Sequence, residues 1–457
     1  MSTAPANSQR NVNALMRILV FTLILSVMNG TMFNVALPAI SQEFSLSPSQ
    51  VSWIVTGYLI VYAIGTVTFG KLSEKYSLKN LLTFGLCFLT IGSLIGLIAD
   101  SYGIIIVARI LQAIGASVIP AVAMIIPVRY FAPDKRGRAL GTTAIGVSLG
   151  SAIGPITAGF VTSVWSWHLL FAIPMLSLLT LPFYRKYLDN AKGSDKKIDL
   201  LGGALLAGTV AALLLALSNL QIRYIGFGIV LLILFIWRIR STPEPFIAPA
   251  IFRNRAYSSS LVFAFFMIAI SSSIPFIAPQ LLAGVYGFSP VMIGIVMLPS
   301  ALITAFLGKK GGKLADEKGN GTLLYIASTL LIVGFLCLSS VVGLSPIWIA
   351  VFLILGVLGQ SFMQITWSNA VSQALTPAQV GTGMGLLSMS NFIAMATVTA
   401  VIGKVLDLGT TKVRFNPFIS IDAGFLHSNI LMTLAFLTIG MTLLYRIFLS
   451  NSKRRKV

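Results

Sequence analysis

Charged side chains are almost absent from the apolar stretches of this chain. Of its 457 residues, 56% are hydrophobic and only 10% are charged. Arg109 lies well inside an apolar run, whereas all twelve Asp and Glu residues fall in polar stretches or at the ends of such runs. A cation in lipid is costly, so Arg109 must face protein or water. Two interpretations stay open: a structural arginine bonded to carbonyls of neighbouring helices, or a cation that makes a cavity positive and pairs with an anionic substrate.

Neutral amides are the second group of residues that indicate a binding site. Gln360 and Gln364 are four residues apart and share one face of a helix, with Trp367 on the same side. Such groups suit an amphipathic aromatic ligand, because they hydrogen-bond and stack without demanding one geometry. The alternative is that each amide only joins neighbouring helices. The predicted cavity contains Asn29, Asn34, Arg109, Gln112, Gln280, Gln360, Gln364, Trp367, Asn369 and Asn391.

The elements that must position these side chains are fourteen apolar runs. A helix needs about 20 residues to cross a bilayer, so the runs predict an all-α polytopic membrane protein with 14 transmembrane helices. The runs lie at 14–38, 51–70, 80–99, 102–127, 139–163, 167–184, 200–220, 222–237, 257–284, 290–308, 322–343, 346–372, 380–403 and 427–449.

The basic residues predict the orientation of these spans. Of the 32 Lys and Arg, one set of loops holds only Arg223, Lys404, Lys412 and Arg414, and Arg109 lies inside a span. Cationic loops stay in the cytoplasm, so both termini are predicted to be cytoplasmic. The net charge of +20 would then line the inner membrane surface and attract anionic lipids. Nucleic acid is excluded, because no basic patch is interleaved with aromatic residues in a polar domain.

Two short loops with related sequences predict an internal duplication. Residues 70–80 read GKLSEKYSLKN and residues 308–319 read GKKGGKLADEKG. Repeated helix sets of this kind are common in secondary transporters. Two sets of six spans leave spans 7 and 8 as an inserted pair. We therefore predict an N-terminal six-helix bundle in 1–190, an inserted helix pair with its linkers in 191–245, and a C-terminal six-helix bundle in 246–457.

Several segments together resemble a known family. The segments are GSAIGPITAG (150–159), ARILQAIGAS (108–117), NGTMFNVALP (29–38), PEPFIAPAIFRNRAYS (243–258), GFSPVMIGIVMLP (287–299), the loop at 70–80, and WIVTGYL with Trp53 and Tyr58. They are similar to the motifs of the major facilitator superfamily, and most to its 14-helix drug:proton antiporter branch of tetracycline and multidrug exporters. The resemblance implies the major facilitator fold, with two six-helix bundles, an extra central pair, and a cavity reached alternately from each side. It also implies export of lipophilic drugs in exchange for protons.

Glycine-rich span 5 and the two repeated loops indicate moving parts. Gly150, Gly154, Pro155 and Gly159 predict either a tightly packed, kinked helix or a conformational hinge between the bundles. An acid in a repeated loop can pair with a cytoplasmic arginine and hold the outward-open state. The predicted cytoplasmic latch contains Glu74, Asp316, Arg129, Arg136 and Arg138.

The usual proton-carrying carboxylates of the family are missing here. Asn29 stands where the branch has an acid in span 1, and the stretch SMSNFIAMAT (388–397) in span 13 has none. Coupling by acids at the membrane edge would use Glu74, Asp100 or Asp199. A proton could instead travel on the substrate or on His168, whose alternative role is an interfacial aromatic-belt residue. Transport could also be weakly coupled or uncoupled.

These observations predict a secondary active exporter of lipophilic, drug-like compounds. The alternative is a facilitated or substrate-proton-linked carrier for an anionic metabolite, which Arg109 and the missing acids favour. An enzyme is not expected, since the sequence has no nucleotide-binding loop, metal-ligand cluster or buried acid pair. We expect no cofactor and no metal, a monomer, and a place in a bacterial-type plasma membrane.

Overall fold

The structure, a computed structural model, describes residues 6–73, 75–131, 133–189, 199–219, 222–247, 249–375, 380–409, 411, 413–419 and 421–454. Every regular element in these ranges is a helix. The first ten α-helices are α1 (Ala6–Glu43), α2 (Pro48–Leu72), α3 (Leu78–Leu97), α4 (Tyr102–Ala116), α5 (Val118–Tyr130), α6 (Pro133–Val164), α7 (Ala172–Met175), α8 (Leu181–Tyr187), α9 (Leu200–Asn219) and α10 (Ile222–Ser241).

The remaining seven α-helices follow a linker that contains a short 3₁₀ turn. They are α11 (Arg255–Ser271), α12 (Ile274–Tyr286), α13 (Pro290–Lys318), α14 (Asn320–Ser340), α15 (Pro346–Gln373), α16 (Val380–Leu406) and α17 (Phe425–Arg454). The 3₁₀ turns are Trp167–Phe171, Leu176–Thr180, Pro249–Arg253 and Asp422–Gly424.

Twelve helical stretches among the described residues are long and apolar enough to cross a membrane. The predicted all-α, multi-pass architecture is therefore confirmed. Two further apolar helices, Leu149–Val164 and Leu200–Ala216, are shorter than a full span over their described residues. They lie in α6 and α9, where the sequence places spans 5 and 7. The count of fourteen is not confirmed and stays a prediction.

Three of the predicted spans are interrupted helices, and the run at 167–184 is one of them, because it forms two 3₁₀ turns together with α7 and α8. The run at 102–127 forms α4 and α5, which meet at Ser117, and the run at 257–284 forms α11 and α12. Ser273 lies in the break between α11 and α12 and donates its hydroxyl to Ile270 O over 2.7 Å. Pro275 follows in the first turn of α12, where a missing backbone N–H is tolerated. Hydropathy detects the length of such a span but not the interruption within it.

The chain divides into two compact units. Unit 1 comprises Met1–Ala36 and Trp53–Ala248, and unit 2 comprises Leu37–Ser52 and Pro249–Val457. The inserted pair, α9 and α10, packs together within unit 1. That residues 191–245 form a separate domain stays a prediction.

Glycines set the closest helix contacts within unit 1. Gly92 of α3 faces the backbone of α4, and a Cβ added there would lie 2.6 Å from Gln112 N and 2.8 Å from Ala108 O. Gly115 of α4 faces the backbone of α3 at Leu89 in the same way. Small residues let helix backbones approach in this manner. The α3–α4 pair that carries Arg109 is therefore held at a fixed, short separation.

Unit 2 contains a comparable pair and an ordered loop. Gly334 of α14 faces the backbone of α15 at Gly356, where an added Cβ would lie 2.9 Å from Gly356 N. The loop between α16 and α17 is tied down by Asn416, whose Nδ2 donates to the hydroxyls of Ser339 and Ser340 over 3.0 Å each. Asn429 accepts from Phe415 N over 2.9 Å. These bonds fix the loop on the end of α14 and on the first turns of α17.

Candidate functional site

Arg109 is the centre of a buried polar cluster in unit 1. Its side chain is only 1% exposed. Nε donates to Ile54 O over 3.2 Å, and Nη1 donates to Asn29 Oδ1 over 3.1 Å and to Asn29 O over 3.3 Å. Nη1 also lies 2.9 Å from Gln112 Oε1. One arginine of α4 thereby binds α1 and α2 through their carbonyl oxygens and an amide.

Two aromatic rings enclose the guanidinium. The Arg109 Cζ atom lies 4.1 Å from the ring centroid of Phe33 and 4.1 Å from that of Tyr58. Both rings are buried. A cation over a ring face is attracted by the ring quadrupole, and the attraction grows when water is excluded. The rings therefore replace part of the hydration that Arg109 loses.

Gln112 extends the cluster to α3. Its Nε2 donates to Ser93 Oγ over 2.8 Å while its Oε1 accepts from Arg109. The spacing of three residues puts Arg109 and Gln112 on neighbouring positions of one helix face. The close α3–α4 approach at Gly92 brings Ser93 within reach. Of the predicted cavity residues, Asn29, Arg109 and Gln112 are thus in direct contact.

Some polar atoms of this cluster have no hydrogen-bond partner within reach. Arg109 Nη2, Asn29 Nδ2 and the Tyr58 hydroxyl are buried without one. No Asp or Glu in the described part of the chain forms an ion pair with Arg109. The cluster therefore holds a positive charge whose described partners are all neutral.

The predicted cavity residues of unit 2 lie in less polar surroundings. Gln360 Nε2 donates to Ser272 Oγ over 3.4 Å, at the break between α11 and α12. Trp367 is 1% exposed, and Phe263 and Tyr445 pack on its ring with centroid distances of 6.3 and 5.4 Å. Gln364 on the same helix is exposed. Gln364 and Trp367, which the sequence predicts on the same side of one helix, therefore differ in burial: the indole is buried and the amide is exposed.

Of the other four predicted cavity residues, Asn34 belongs to unit 1 and the remaining three belong to unit 2. Asn391 is 7% exposed and its Oδ1 has no hydrogen-bond partner, and Gln280 Nε2 likewise has none. Asn34 and Asn369 are half-buried. That the ten residues line one cavity stays a prediction, because they are divided between the two units.

His168 is the second residue of the 3₁₀ turn Trp167–Phe171 in unit 1. Its Nε2 lies 2.9 Å from Ala99 O, and its Nδ1 lies 2.8 Å from the hydroxyl of Ser166. The carbonyl requires Nε2 to be the donor, so Nδ1 accepts from the hydroxyl. The ring also stacks on Trp167 with a centroid distance of 3.7 Å. Both ring nitrogens of His168 therefore have structural partners, and its proton-relay role stays a prediction.

Asp199 is an anchor for the inserted helix pair. The residue is 5% exposed and precedes α9, where its Oδ1 accepts from Gly202 N over 3.0 Å. Arg238 of α10 donates to the same oxygen over 3.0 Å, and Phe246 N donates to Oδ2 over 3.2 Å. Burial alone would raise the pKa of the Asp199 carboxyl, but these hydrogen bonds and the Arg238 charge outweigh it and hold the pKa below its ordinary value. Such a carboxylate is poorly suited to accept a proton.

The other membrane-edge acids differ in surroundings. Asp100 is exposed at the end of the loop before α4. Glu74 lies outside the described residues. Their predicted role in coupling stays a prediction.

Arg129 is the member of the predicted latch whose side chain the structure describes. Its Nη2 lies 3.6 Å from Asp189 Oδ1. The side chains of Arg136, Arg138 and Asp316, like the whole of Glu74, lie outside the described part of the chain. The ion pair with Asp189 is exposed, and such pairs contribute little to stability.

The predicted hinge residues of α6 pack against α1. A Cβ added to Gly150 would lie 2.7 Å from Ile24 O and 2.8 Å from Val27 Cβ. Gly154 faces Thr31, one helical turn further along α1. Pro155 lies inside the continuous helix α6, and Gly159 is buried. The glycines therefore form a contact surface for the helix that carries Asn29.

Two contacts in unit 2 were not anticipated from the sequence. Asp407 Oδ1 accepts from Ser49 N over 2.8 Å at the start of α2. His427 of α17 lies beside Gly284 of α12, and its Nδ1 is buried without a partner. His427 could have been singled out as one of only two histidines in the chain. Nothing in the sequence indicates the pairing of Asp407 with a residue 358 positions away.

Comparisons with known proteins agree with this architecture. A sequence profile described as "Major Facilitator Superfamily" matches residues 19–399. The riboflavin transporter RibZ of Clostridioides difficile (strain 630) is 26% identical over 383 residues, which cover 82% of this chain and 84% of that protein. Multidrug resistance protein 3 of Bacillus subtilis (strain 168) is 26% identical over 401 residues, covering 85% and 78%.

A solved structure shares the fold. A POT family transporter in complex with a thioalcohol-conjugated peptide superposes with a TM-score of 0.71 over 95% of this chain and 96% of that one. Its sequence identity is 14%, so the likeness concerns the fold alone.

Proposed function

We infer from its membership of the major facilitator superfamily, to which this chain belongs, that the protein is a secondary active exporter of lipophilic, drug-like compounds. The chain is a multi-pass membrane transporter rather than an enzyme. We propose that it works by alternating access, in the 14-helix drug:proton antiporter branch. The match of the family profile to residues 19–399 is the observation on which this proposal rests.

The substrate class is argued from the relatives and from the buried cluster. One relative is named for multidrug resistance and another for riboflavin transport. Both names point to organic compounds rather than inorganic ions. Phe33 and Tyr58 beside the polar atoms of Asn29 and Arg109 offer stacking and hydrogen bonding together. This combination suits an amphipathic ring compound, and tetracycline-like antibiotics are one such class.

Proton coupling is proposed through a group other than Asp199. Asp199 is held ionised by three donors, and both ring nitrogens of His168 are bonded. The acids at the membrane edge that remain as candidates are Glu74 and Asp100, and a proton relay at His168 stays a prediction. An acidic group on the substrate would move its proton in the same direction as the substrate, so it belongs to the second candidate below rather than to antiport.

A carrier for an anionic metabolite, by facilitated or substrate-proton-linked transport, is the second candidate. The same observation favours it: the buried cation of Arg109 is surrounded by neutral groups. The two candidates differ in substrate and in coupling. They share the fold and the mechanism of alternating access.

The membrane setting is proposed from charge and composition. The protein resides in a bacterial-type plasma membrane with both termini in the cytoplasm, where its net charge of +20 attracts anionic lipids. It acts as a monomer, without cofactor and without nucleic acid.

Purified protein in liposomes tests the proposal. A pH gradient is imposed, and a panel of fluorescent lipophilic compounds is followed together with lumenal pH. We expect accumulation of at least one compound against its gradient, with proton flux in a fixed ratio to it. Movement that only equilibrates the compound, without proton flux, would support the second candidate. Equal movement in protein-free liposomes would contradict both.

A further inference from the structure

The cluster around Arg109 contains more hydrogen-bond donor groups than acceptors for them. Nε and Nη1 of Arg109 reach four acceptor atoms, whereas Nη2 reaches none. Asn29 Nδ2 is also buried without an acceptor. A buried N–H without a partner destabilises the folded protein, and a charged one does so more strongly. Two unfilled donor groups on neighbouring residues therefore indicate a place that an acceptor occupies at some stage.

The charge of the cluster is also unbalanced. Asn29 offers a neutral amide oxygen 3.1 Å from Nη1 of Arg109, and Gln112 offers another at 2.9 Å. The described partners of the guanidinium are carbonyls, amides and two aromatic rings. An ionisable residue within a membrane-spanning segment pairs with another charge or with backbone carbonyls. Arg109 has the carbonyls of Ile54 and Asn29, and an anion would supply the charge that its described partners lack.

We propose that the free Nη2 edge of Arg109, with Asn29 Nδ2, binds an anionic group of the transported compound. The substrates are accordingly lipophilic organic acids, whose carboxylate or similar oxyanion faces Arg109 while their apolar body lies against the aromatic rings. Guanidinium binds carboxylates through short, charge-assisted hydrogen bonds. This assignment rests on the proposed transport function and narrows its substrate class.

An anionic substrate also accounts for the absence of a described carboxylate beside Arg109, because the substrate supplies the negative charge. Arg109 is 1% exposed in this conformation. The anion must bind when the site opens, and alternating access provides such a state.

The proposal is tested by the thermal stability of the purified full-length protein. Sodium benzoate and benzamide serve as probes, because they share a ring and a similar shape but differ in charge. A ligand that binds only the native state raises Tm. We expect saturating benzoate to raise Tm by about 2 °C and benzamide to have no effect. An equal response to both probes would overturn the proposal.

Three variants test whether the rise in Tm with benzoate arises from binding at Arg109. Asn29→Asp supplies a carboxylate beside Arg109 and is expected to abolish the benzoate shift while the protein stays folded. Gln42→Glu adds the same charge to an exposed position of α1, about 20 Å along the helix, and is expected to keep the shift. Arg109→Gln should lose it, although this variant risks misfolding. A benzoate shift that persists in Asn29→Asp would overturn the proposal.

Sodium chloride against sodium gluconate separates a substrate acid from an inorganic anion. A shift with chloride and none with benzoate would overturn the substrate assignment, whereas a shift with benzoate supports it. The failure of the transport proposal has a separate readout. If liposomes containing the wild-type protein move no compound while benzoate still raises Tm, the proposed transport function is refuted and the proposed anion site at Arg109 is supported.

Discussion

Arg109 is tolerated in an apolar helix because neighbouring backbone and side chains replace its hydration. Its Nε and Nη1 are bonded to α1, α2 and Gln112, and the rings of Phe33 and Tyr58 cover it at 4.1 Å each. The ring faces and the hydroxyl of Tyr58 make separable contributions. The hydroxyl is buried without a hydrogen-bond partner, so its lost hydration destabilises the folded state.

This difference gives a prediction for Tyr58. Tyr58→Phe keeps the ring over the guanidinium and removes a buried hydroxyl that has no partner, so it should leave Tm equal or slightly higher. Tyr58→Leu removes the ring and should cost about 1 to 2 kcal/mol, seen as a lower Tm of the purified protein. A loss in Tyr58→Phe as large as that in Tyr58→Leu would show that the hydroxyl, not the ring, stabilises the cluster.

At the scale of elements, α6 is fitted to α1 by its glycines. Gly150 leaves no room for a Cβ between α6 and Ile24. Because α1 carries Asn29 and Phe33, the distance between these two helices also affects the Arg109 cluster. A structural contact and a sliding surface are compatible roles for such an interface.

Gly150→Ala tests the fit of these helices. The added methyl would force α6 away from α1 and should cost about 1 to 3 kcal/mol. Gly103→Ala in α4 is the matched control, since nothing lies within 4 Å of its added Cβ, and it should leave stability equal or slightly higher. The Tm values of the two purified variants are compared. Equal values would show that Gly150 is not needed for close packing of α6 against α1.

The inserted pair depends on one carboxylate. Asp199 joins the start of α9 to Arg238 near the end of α10 and to the linker at Phe246. Lys71 at the end of α2 donates to Pro245 O over 2.6 Å, so the linker is fixed from two sides. The carboxylate thus determines where the pair and its linker meet.

Asp199→Asn keeps the size of the side chain and removes its charge. We expect a loss of about 2 kcal/mol at neutral pH, measured as a lower Tm than wild type. The folded-state pKa is lowered, so this contribution is complete above the ordinary Asp pKa of about 4 and disappears as pH falls through the folded value. A Tm difference that stays constant down to about pH 2 would argue against an ionised anchor.

At the scale of the molecule, one short segment crosses the division into units. Residues 37–52 belong to unit 2, although the chain on both sides of them belongs to unit 1. Within unit 2 the segment is held by the bond from Ser49 N to Asp407 and by Ser52, which packs against Gly403. Under the proposed alternating access, we expect the contacts of this segment to change during the transport cycle and this attachment to loosen at one stage.

Asp407→Ala should favour the loosened state. Ser52 is 0% exposed, so the reactivity of the thiol in Ser52→Cys measures how often the segment loosens. The variant is made in a protein whose Cys87 and Cys337 are replaced by alanine. We expect a several-fold faster reaction of this cysteine with a membrane-impermeant thiol reagent when Asp407 is absent. A cysteine at exposed Ser101 should react equally in both backgrounds. An unchanged rate at position 52 would show that Asp407 does not hold the segment.

Hydropathy and charge predicted the helical, membrane-spanning architecture because burial in lipid demands long apolar helices. They also indicated the buried Arg109 with Asn29 and Gln112, since polar groups in such helices need partners. They did not indicate that Asp199 is bonded by three separate donors or that Trp367 is enclosed by Phe263 and Tyr445. Apart from the local bond between Gly202 N and Asp199, those contacts join residues distant in sequence, and their formation depends on how the helices pack.

Counterflow in liposomes is the most direct test of a carrier that exposes one site to each side in turn. Vesicles are loaded with an unlabelled compound that the protein moves, and entry of the labelled compound is followed without any pH gradient. The account predicts that the internal compound transiently drives labelled compound above its external concentration, and that Arg109→Gln, at equal protein content, abolishes this overshoot for an acidic compound. Labelled compound that only equilibrates in wild-type vesicles would contradict transport by alternating access.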